Sequence, residues 1–389
     1  MKSKDSPQNT GKALVDRGFD SDFNAERLAE ISRLFTDDRR VLDYIVQMHE
    51  DDRTFDLKRG ELYPEILRAN ISLKRTLAGI YGIDPAQAQP NFGSNGSIDT
   101  IITAVKVREA ERGVGRAGGE GNGLMVPTPT YFRNYNSAEA RKLFMHKVPL
   151  DKDYNFDAQR FVAEMRHVRP SVVFLVTPNN PTGMPLEDAA ITAVLDNLPD
   201  DSWAVMDRTL VNVRPEIGTK ELLHRYKHKN LVVLHSFSKF ARMSQQRIGY
   251  ALYSNPEMAE IVRPCLPLGM NMEATMKANS ILLRDKGLFP NSEVVQNIKD
   301  SRVLLDGFTA EFPRFRITDF AANYCLLSLP EGLASEEFSA ATEAKGLYVM
   351  AGHALPEPDS RVVRLYTAGP SKYLKTLLDE VAAVFGKGR

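Results

Sequence analysis

Cysteine is nearly absent from this chain of 389 residues, with Cys265 and Cys325 its only two. That gives no disulfide framework and fits a reducing compartment. Net charge is absent too. Lys and Arg total 50, as do Asp and Glu, which removes the electrostatic reason to expect capture of nucleic acid or of an anionic membrane. No apolar run approaches the roughly 20 residues that span a bilayer. Lys2, Lys4 and Asp5 precede no apolar stretch, so no secretory signal is expected and the expected location is cytoplasmic. No internal repeat is visible and no metal site is expected. His224 and His228 have i, i+4 spacing but lack the glutamate of a metalloprotease helix, and they read as a solvated face. Ser94, Ser97 and the histidines form no recognisable nucleophile motif. What remains is an ordinary soluble composition, 43% apolar and 26% charged, in a chain long enough for two domains. A cytoplasmic enzyme is the working expectation.

Periodicity then organises the chain. Residues 1–20 read as a flexible or partner-clasping arm. Apolar residues at helical spacing predict one or two helices from Asn24 to about His49 and another from Pro64 to Tyr81. A third helix is expected over Asp99 to Arg112, opened by a loop at Gly93–Ser97. Short apolar runs follow, at 124–126, 171–176, 203–206, 231–234 and 250–253. Runs this apolar suit strands buried on both faces. Their alternation with helices predicts an α/β fold with a doubly wound, mostly parallel sheet. Beyond about Pro267 a long helical stretch is expected to reach Phe308. Strands at 323–327 and 361–367 and an amphipathic helix from Tyr373 to Phe385 follow, as in a smaller α+β domain. The expected division is 1–60 (arm and part of the small domain), 61–270 (large domain) and 271–389 (linking helix and small domain). Gly113 to Gly118 fits G-x-G-x-x-G, but a helix precedes it where a strand is required, so it reads as a surface loop.

Five stretches carry chemistry. Ser236-Phe237-Ser238-Lys239, with Arg247 eight residues on, offers an imine-forming lysine beside hydroxyls and a fixed cation suited to phosphate. A lysine that holds a carbonyl-bearing, phosphate-bearing ligand describes pyridoxal 5′-phosphate; a plain surface loop is the alternative. Asn95-Gly96-Ser97 stands before a helix and offers free amides and a hydroxyl to phosphate, or else Ser97 simply caps the helix. Tyr131 follows a strand, where it stacks on a flat ring or belongs to the core. Asn180, in Pro178-Asn179-Asn180-Pro181-Thr182-Gly183, sits in a rigid turn and can donate to a phenolic oxygen. Asp207 ends a buried strand and needs a cationic partner: either a pyridinium nitrogen or a neighbouring arginine such as Arg208.

The ordered set Asn180-Pro181-Thr182-Gly183, Asp207, Ser236-x-Ser238-Lys239 and Arg247 resembles the fold-type-I pyridoxal-phosphate enzymes, specifically the class I/II aminotransferase group, from about residue 60 onward. The resemblance implies Lys239 as Schiff-base lysine and general base, Asp207 on the ring nitrogen, Asn180 on the ring oxygen and Tyr131 stacked on the ring. It implies a phosphate held by Asn95, Gly96, Ser97, Ser236, Ser238 and Arg247. Tyr63 matches a tyrosine lent to the partner subunit's phosphate, which implies a homodimer with shared sites. Arg364, in Val363-Arg364-Leu365-Tyr366, matches the arginine that forks onto a substrate α-carboxylate; an exposed strand residue is its alternative. The implied reaction is transamination of an L-α-amino acid through an external aldimine and a quinonoid.

Three departures bear on that reaction. Leu210 stands where the family commonly has a tyrosine three residues after the ring aspartate. Phe240 to Gln246 is bulkier and more polar than the usual glycine-bearing stretch. The N-terminal substrate loop is not recognisable, with Gly60 and Gly18 both candidates. They keep open a lyase, cyclase or β/γ-replacement enzyme of specialised metabolism, possibly on an S-adenosylmethionine-like or arginine-like substrate, and a non-catalytic protein of the same fold. The side-chain pocket is expected from the N-terminal segment and from loops near Tyr131 and Arg208.

Overall fold

The computed structural model describes residues 62–113, 123–266, 270–355 and 357–385, with side chains from residue 69 onward. The helices expected between 24 and 49, the candidate glycines 18 and 60 and most of the glycine-rich loop after Gly113 lie outside the described residues, as does the side chain of Tyr63.

A helix at Leu62–Tyr81 leads into strand β1 (Ala88–Asn91), a helix at Gly93–Glu111 and β2 (Leu124–Thr128). The helix Phe132–Ala140, β3 (Met145–Pro149), the helix Ala158–Val168, β4 (Val172–Val176), the helix Asp188–Asp196 and β5 (Trp203–Asp207) follow. Then come the helix Thr219–Arg225, β6 (Asn230–Ser236), a single turn at Phe237–Phe240, β7 (Gly249–Tyr253) and a helix at Pro256–Val262. The seven strands form one sheet in the order β1-β7-β6-β5-β4-β2-β3. Strands β2 to β6 run parallel, and β7 runs against both its neighbours.

The sheet is buried on both faces because its central strands are apolar through their middles. Side chains alternate between faces along a strand. Val173, Leu175, Ala204, Met206, Leu231 and Val233 join a core with the helices 62–81, 158–168, 188–196 and 272–285. Val172, Phe174, Val205, Val232 and Leu234 join a second core with the helices 93–111, 132–140 and 256–262. This is the doubly wound architecture expected. The two edge strands, β1 and β3, have no signal in the sequence. β3 is only partly covered, so Met145-His146-Lys147-Val148-Pro149 carries polar residues and tolerates proline, while Ala88-Gln89-Pro90-Asn91 is largely buried but short and polar in composition.

The helical stretch expected to reach Phe308 is two helices, Met272–Asp285 and Ser292–Glu311. Lys286 takes a left-handed conformation at the end of the first, and Asn291 caps the second by accepting from the Glu293 amide at 3.0 Å. Glycine and proline at 287 and 290 fill the break. A four-stranded antiparallel sheet follows, in the order β10-β11-β9-β8: β8 (Arg316–Ile317), β9 (Tyr324–Ser328), β10 (Met350–Ala351) and β11 (Val362–Tyr366). One face, with Cys325, Leu327, Val363 and Leu365, is packed against Phe308, Phe315 and Phe338 and against Leu374 and Leu378 of the last helix, Ser371–Phe385. Period-2 alternation therefore turns Tyr324, Arg364 and Tyr366 the other way.

That second face is fastened to the large sheet. The Gly183 carbonyl accepts the Ala321 amide at 3.0 Å, and the Thr182 carbonyl accepts the Thr318 hydroxyl at 2.6 Å. Asn323 accepts the Val211 amide at 2.9 Å. Gly183 has φ +72°, and an added Cβ would lie 1.8 Å from the Tyr324 carbonyl oxygen, so only glycine lets the turn close on β9.

Candidate active site

Ligands bind open α/β sheets at the carboxyl ends of the strands, where strand order reverses. Here the order reverses between β2 and β4, and the loops after them are cross-linked there. Asn179 donates to the Pro129 carbonyl at 2.9 Å and accepts from the Thr130 hydroxyl at 3.0 Å. Tyr131, on the same loop, is half-buried and donates to Asn95 at 2.8 Å. Burial, then the charge of Asp207, push its phenol above the usual range.

The helix that carries Asn95 begins at Gly93, six residues before the expected start, and its N-cap Phe92 makes no side-chain capping bond. The amides of Gly93, Ser94 and Asn95 are therefore the free ones, which corrects the expected set of Asn95, Gly96 and Ser97. Gly96 is already inside the helix, and its glycine serves packing: a Cβ there would lie 2.5 Å from Asn91 Oδ1. Ser97 does not cap the helix. Its hydroxyl is buried and makes no hydrogen bond among the described residues.

The lysine stretch folds as a tight turn at the end of β6. Ser236 caps it, accepting the Ser238 amide at 3.2 Å and donating to the Ser238 hydroxyl at 2.9 Å, and Phe237 anchors it in the core. Arg247, left-handed at φ +50°, donates to the Ser244 carbonyl at 2.7 Å. A Cβ on Gly93 would lie 2.9 Å from Arg247 Nη2 and 3.8 Å from Ser236 Oγ. The helix N-terminus, both serines and Arg247 thus face one small volume. Gly249 permits the approach, since a Cβ there would lie 2.8 Å from the Gly93 Cα.

Asp207 is 2% exposed and accepts the Thr209 amide at 2.9 Å. It forms no ion pair among the described residues, and burial pushes its carboxyl up to about 6. Arg208 is not its partner. Consecutive residues at a strand end face opposite sides, and Arg208 is buried on the far side of the sheet, donating to Thr219 at 3.2 Å and lying 3.9 Å from Glu216. His235 shares Thr219 with it at 2.9 Å; burial, then the Arg208 charge, pull this imidazole down to about 3.

From the small sheet, Arg364 donates to Asn180 Oδ1 at 2.9 Å and lies 4.4 Å from the centre of the Tyr324 ring. Burial pulls its guanidinium below the usual range, which still leaves it charged. Lys239 Nζ stands 5.4 Å from the same ring and 5.8 Å from that of Tyr366. Leu210 is buried and brings no hydroxyl. Tyr324 is a site residue that the sequence reading missed, although the inward and outward alternation along 324–328 was there to mark it.

Pyridoxal 5′-phosphate fits this donor set on three observations. A buried carboxylate lacks a cation, a buried hydroxyl lacks a partner, and uncapped helix amides face an arginine and two serines across a glycine. Among the described residues, no three His, Cys, Asp or Glu side chains gather to hold a metal, and no helix is long and apolar enough to cross a membrane.

A family model described as aminotransferase class I and II matches residues 65–381. A histidinol-phosphate aminotransferase of Chlorobaculum tepidum is 26% identical over 291 residues, 74% of this chain and 77% of that protein. Among solved structures, the histidinol-phosphate aminotransferase from Clostridium acetobutylicum shares the fold with a TM-score of 0.68 at 17% identity, over 85% of this chain and 92% of that one. The enzyme of that name from Sinorhizobium meliloti, in complex with pyridoxal-5′-phosphate, gives a TM-score of 0.61 at 22% identity, over 88% and 85%.

Proposed function

We propose a substrate class and a set of residue roles for a chain that belongs to the class I and II aminotransferase family and is a pyridoxal 5′-phosphate-dependent aminotransferase. The amino donor is an L-α-amino acid, or an amine with another anionic group in the place of the carboxylate. The observation that carries this is Arg364, half-buried beside Asn180 at 2.9 Å and sharing the Tyr324 ring with Lys239. An anion forked onto Arg364 brings its neighbouring amine to the lysine. The relatives named histidinol-phosphate aminotransferase make an amine bearing a phosphate the second substrate to try.

When bound, the cofactor supplies an electron sink beside the substrate's Cα. Asp207 holds the proton on the ring nitrogen, Asn180 reaches the ring oxygen, and Tyr131 flanks the ring. The amides of Gly93 to Asn95, with Ser97, Ser236, Ser238 and Arg247, hold the phosphate. Lys239 would anchor the cofactor's carbonyl and, once displaced by a substrate amine, would serve as the base at the substrate's Cα. A homodimer in which Tyr63 reaches the partner's phosphate belongs to the same proposal.

The test loads the protein with cofactor and adds single amines without a keto acid: a panel of L-amino acids, then histidinol phosphate. Loss of the visible absorbance band with formation of pyridoxamine phosphate is expected for an acid-bearing amine. A band that no such amine changes, or equal response to amines lacking any anionic group, would overturn the assignment of Arg364.

A further inference from the structure

We propose that Tyr324 is a positioning residue whose ring holds the two cations of the reaction, the Lys239 amine and the Arg364 guanidinium, in register with each other. The proposal rests on the roles given above to Lys239 and Arg364. Lys239 Nζ is 5.4 Å from the ring centre and the Arg364 guanidinium carbon 4.4 Å. Both distances are within the range in which a ring quadrupole attracts a cation. The Tyr324 backbone also lies where the two sheets are fastened. The Tyr324 carbonyl is the atom against which Gly183 closes, and the preceding residue, Asn323, accepts the Val211 amide at 2.9 Å. Its backbone is thus fixed to the loop after Asp207 and to the turn that carries Asn180. The Tyr324 hydroxyl makes no hydrogen bond among the described residues, so nothing but the ring face accounts for the two contacts. Tyr366 adds a second face, 5.8 Å from Lys239, but is 52% exposed and so contributes less.

Two consequences of opposite sign follow. A ring that steadies Arg364 helps it meet an incoming carboxylate. A ring that holds the lysine amine against its own face opposes the move of that amine to a carbonyl. The lysine is free at two stages, before the cofactor binds and after a substrate amine has replaced it. At both, the ring keeps it beside Arg364.

The experiment compares Tyr324→Leu and Tyr324→Phe with the wild type. One readout is the dissociation constant of 3-phenylpropionate, a carboxylate without an amine, from the cofactor-loaded protein, followed by its effect on the visible band. The other is the rate at which cofactor-free protein develops that band at pH 7 on addition of pyridoxal 5′-phosphate. Tyr324→Leu should bind the carboxylate about 2- to 30-fold more weakly and develop the band faster by a similar factor, the equivalent of one cation–π contact. Tyr324→Phe should stay within about twofold of wild type in both, since the ring face remains. Tyr324→Met serves in the same way if the leucine variant does not fold. The proposal is overturned if the leucine variant matches wild type, if both of its readouts worsen together, or if phenylalanine behaves like leucine. Failure of the underlying roles looks different: the wild type itself would develop no band, or Lys239→Ala would keep it.

Discussion

Replacing Asp207 by asparagine should stabilise the cofactor-free protein while disabling the enzyme. The carboxyl is buried with one amide donor and no cation, and burial lifts it from an ordinary 3.8 to about 6. A group so raised binds its proton more tightly in the folded than in the unfolded chain. Between pH 3.8 and about 6 the folded state therefore carries the extra proton, and stability falls as pH rises through that window. Above it the full cost remains, roughly two pH units at 1.36 kcal/mol each, or about 3 kcal/mol at pH 7. Asparagine keeps the shape and the acceptor for the Thr209 amide but carries no charge, so the cost disappears. Trp203, the chain's single tryptophan, is buried four residues away on the same strand and reports unfolding in urea by fluorescence. The expected result is a variant more stable than wild type by up to about 3 kcal/mol at pH 7, with the difference vanishing below pH 4. His235, held neutral by burial, adds an acid-side loss of stability to both proteins and cancels in the difference. On loading with cofactor the order should reverse, because a ring cation then neutralises Asp207 and has only a neutral amide in the variant. A variant no more stable than wild type at pH 7, or a difference that persists below pH 4, would refute the account of Asp207 as an uncompensated buried charge.

Lys239→Ala should lose the visible band on addition of cofactor, and turnover should fall by about 10²–10⁴-fold or more, read by absorbance and by the half-reaction with an amino acid. Arg364→Lys should keep the band but lower kcat/KM for an amino acid roughly 10- to 100-fold, since an ammonium replaces a fork that donates twice. Gly93→Ala puts a Cβ 2.9 Å from Arg247 Nη2 at a backbone φ of +70°; moving that guanidinium and straining the turn should weaken cofactor binding about tenfold, measured by equilibrium dialysis. Inorganic phosphate in the millimolar range should slow cofactor uptake by wild type, and less so by Arg247→Ala, as followed by growth of the band.

The parts of the fold legible in the sequence are those where burial forces one choice at every position. Val172–Val176 and Trp203–Asp207 have water on neither face, so their composition alone marks them as strands. Strands β1 and β3 have one open edge, and that freedom erases the pattern. The same reasoning divides the site. The expectations for Asp207, Lys239, Asn180 and Arg247 rest on residue types that follow one order along the chain. The helix start at Gly93 was not legible, because Gly93-Ser94-Asn95-Gly96-Ser97 has the composition of a loop and no capping side chain to mark its boundary. Its place is decided by the close approach of Gly93 to Gly249, a contact between residues far apart in sequence. Tyr324 escaped for a related reason: its role depends on which face of the small sheet meets the large one. Arg208, the alternative partner for Asp207, turns away from it because adjacent strand residues point to opposite sides.

The chain is neutral overall, and the site is not. Lys239, Arg247 and Arg364 gather around a single carboxylate, Asp207, and none of the four forms an ion pair among the described residues. Left alone, the cleft holds two positive charges in excess. A phosphate brings close to two negative charges to the Arg247 side of the cleft and leaves Arg364 to an anion on the substrate. Two unit charges 4 Å apart interact by about 4 kcal/mol at an effective dielectric of 20, so one unbalanced cation is a large term against binding. An amine that lacks an anion leaves that term standing at Arg364, whatever its side chain. Discrimination between acid-bearing amines and all others is therefore built from charge, before any contact with the side chain is made.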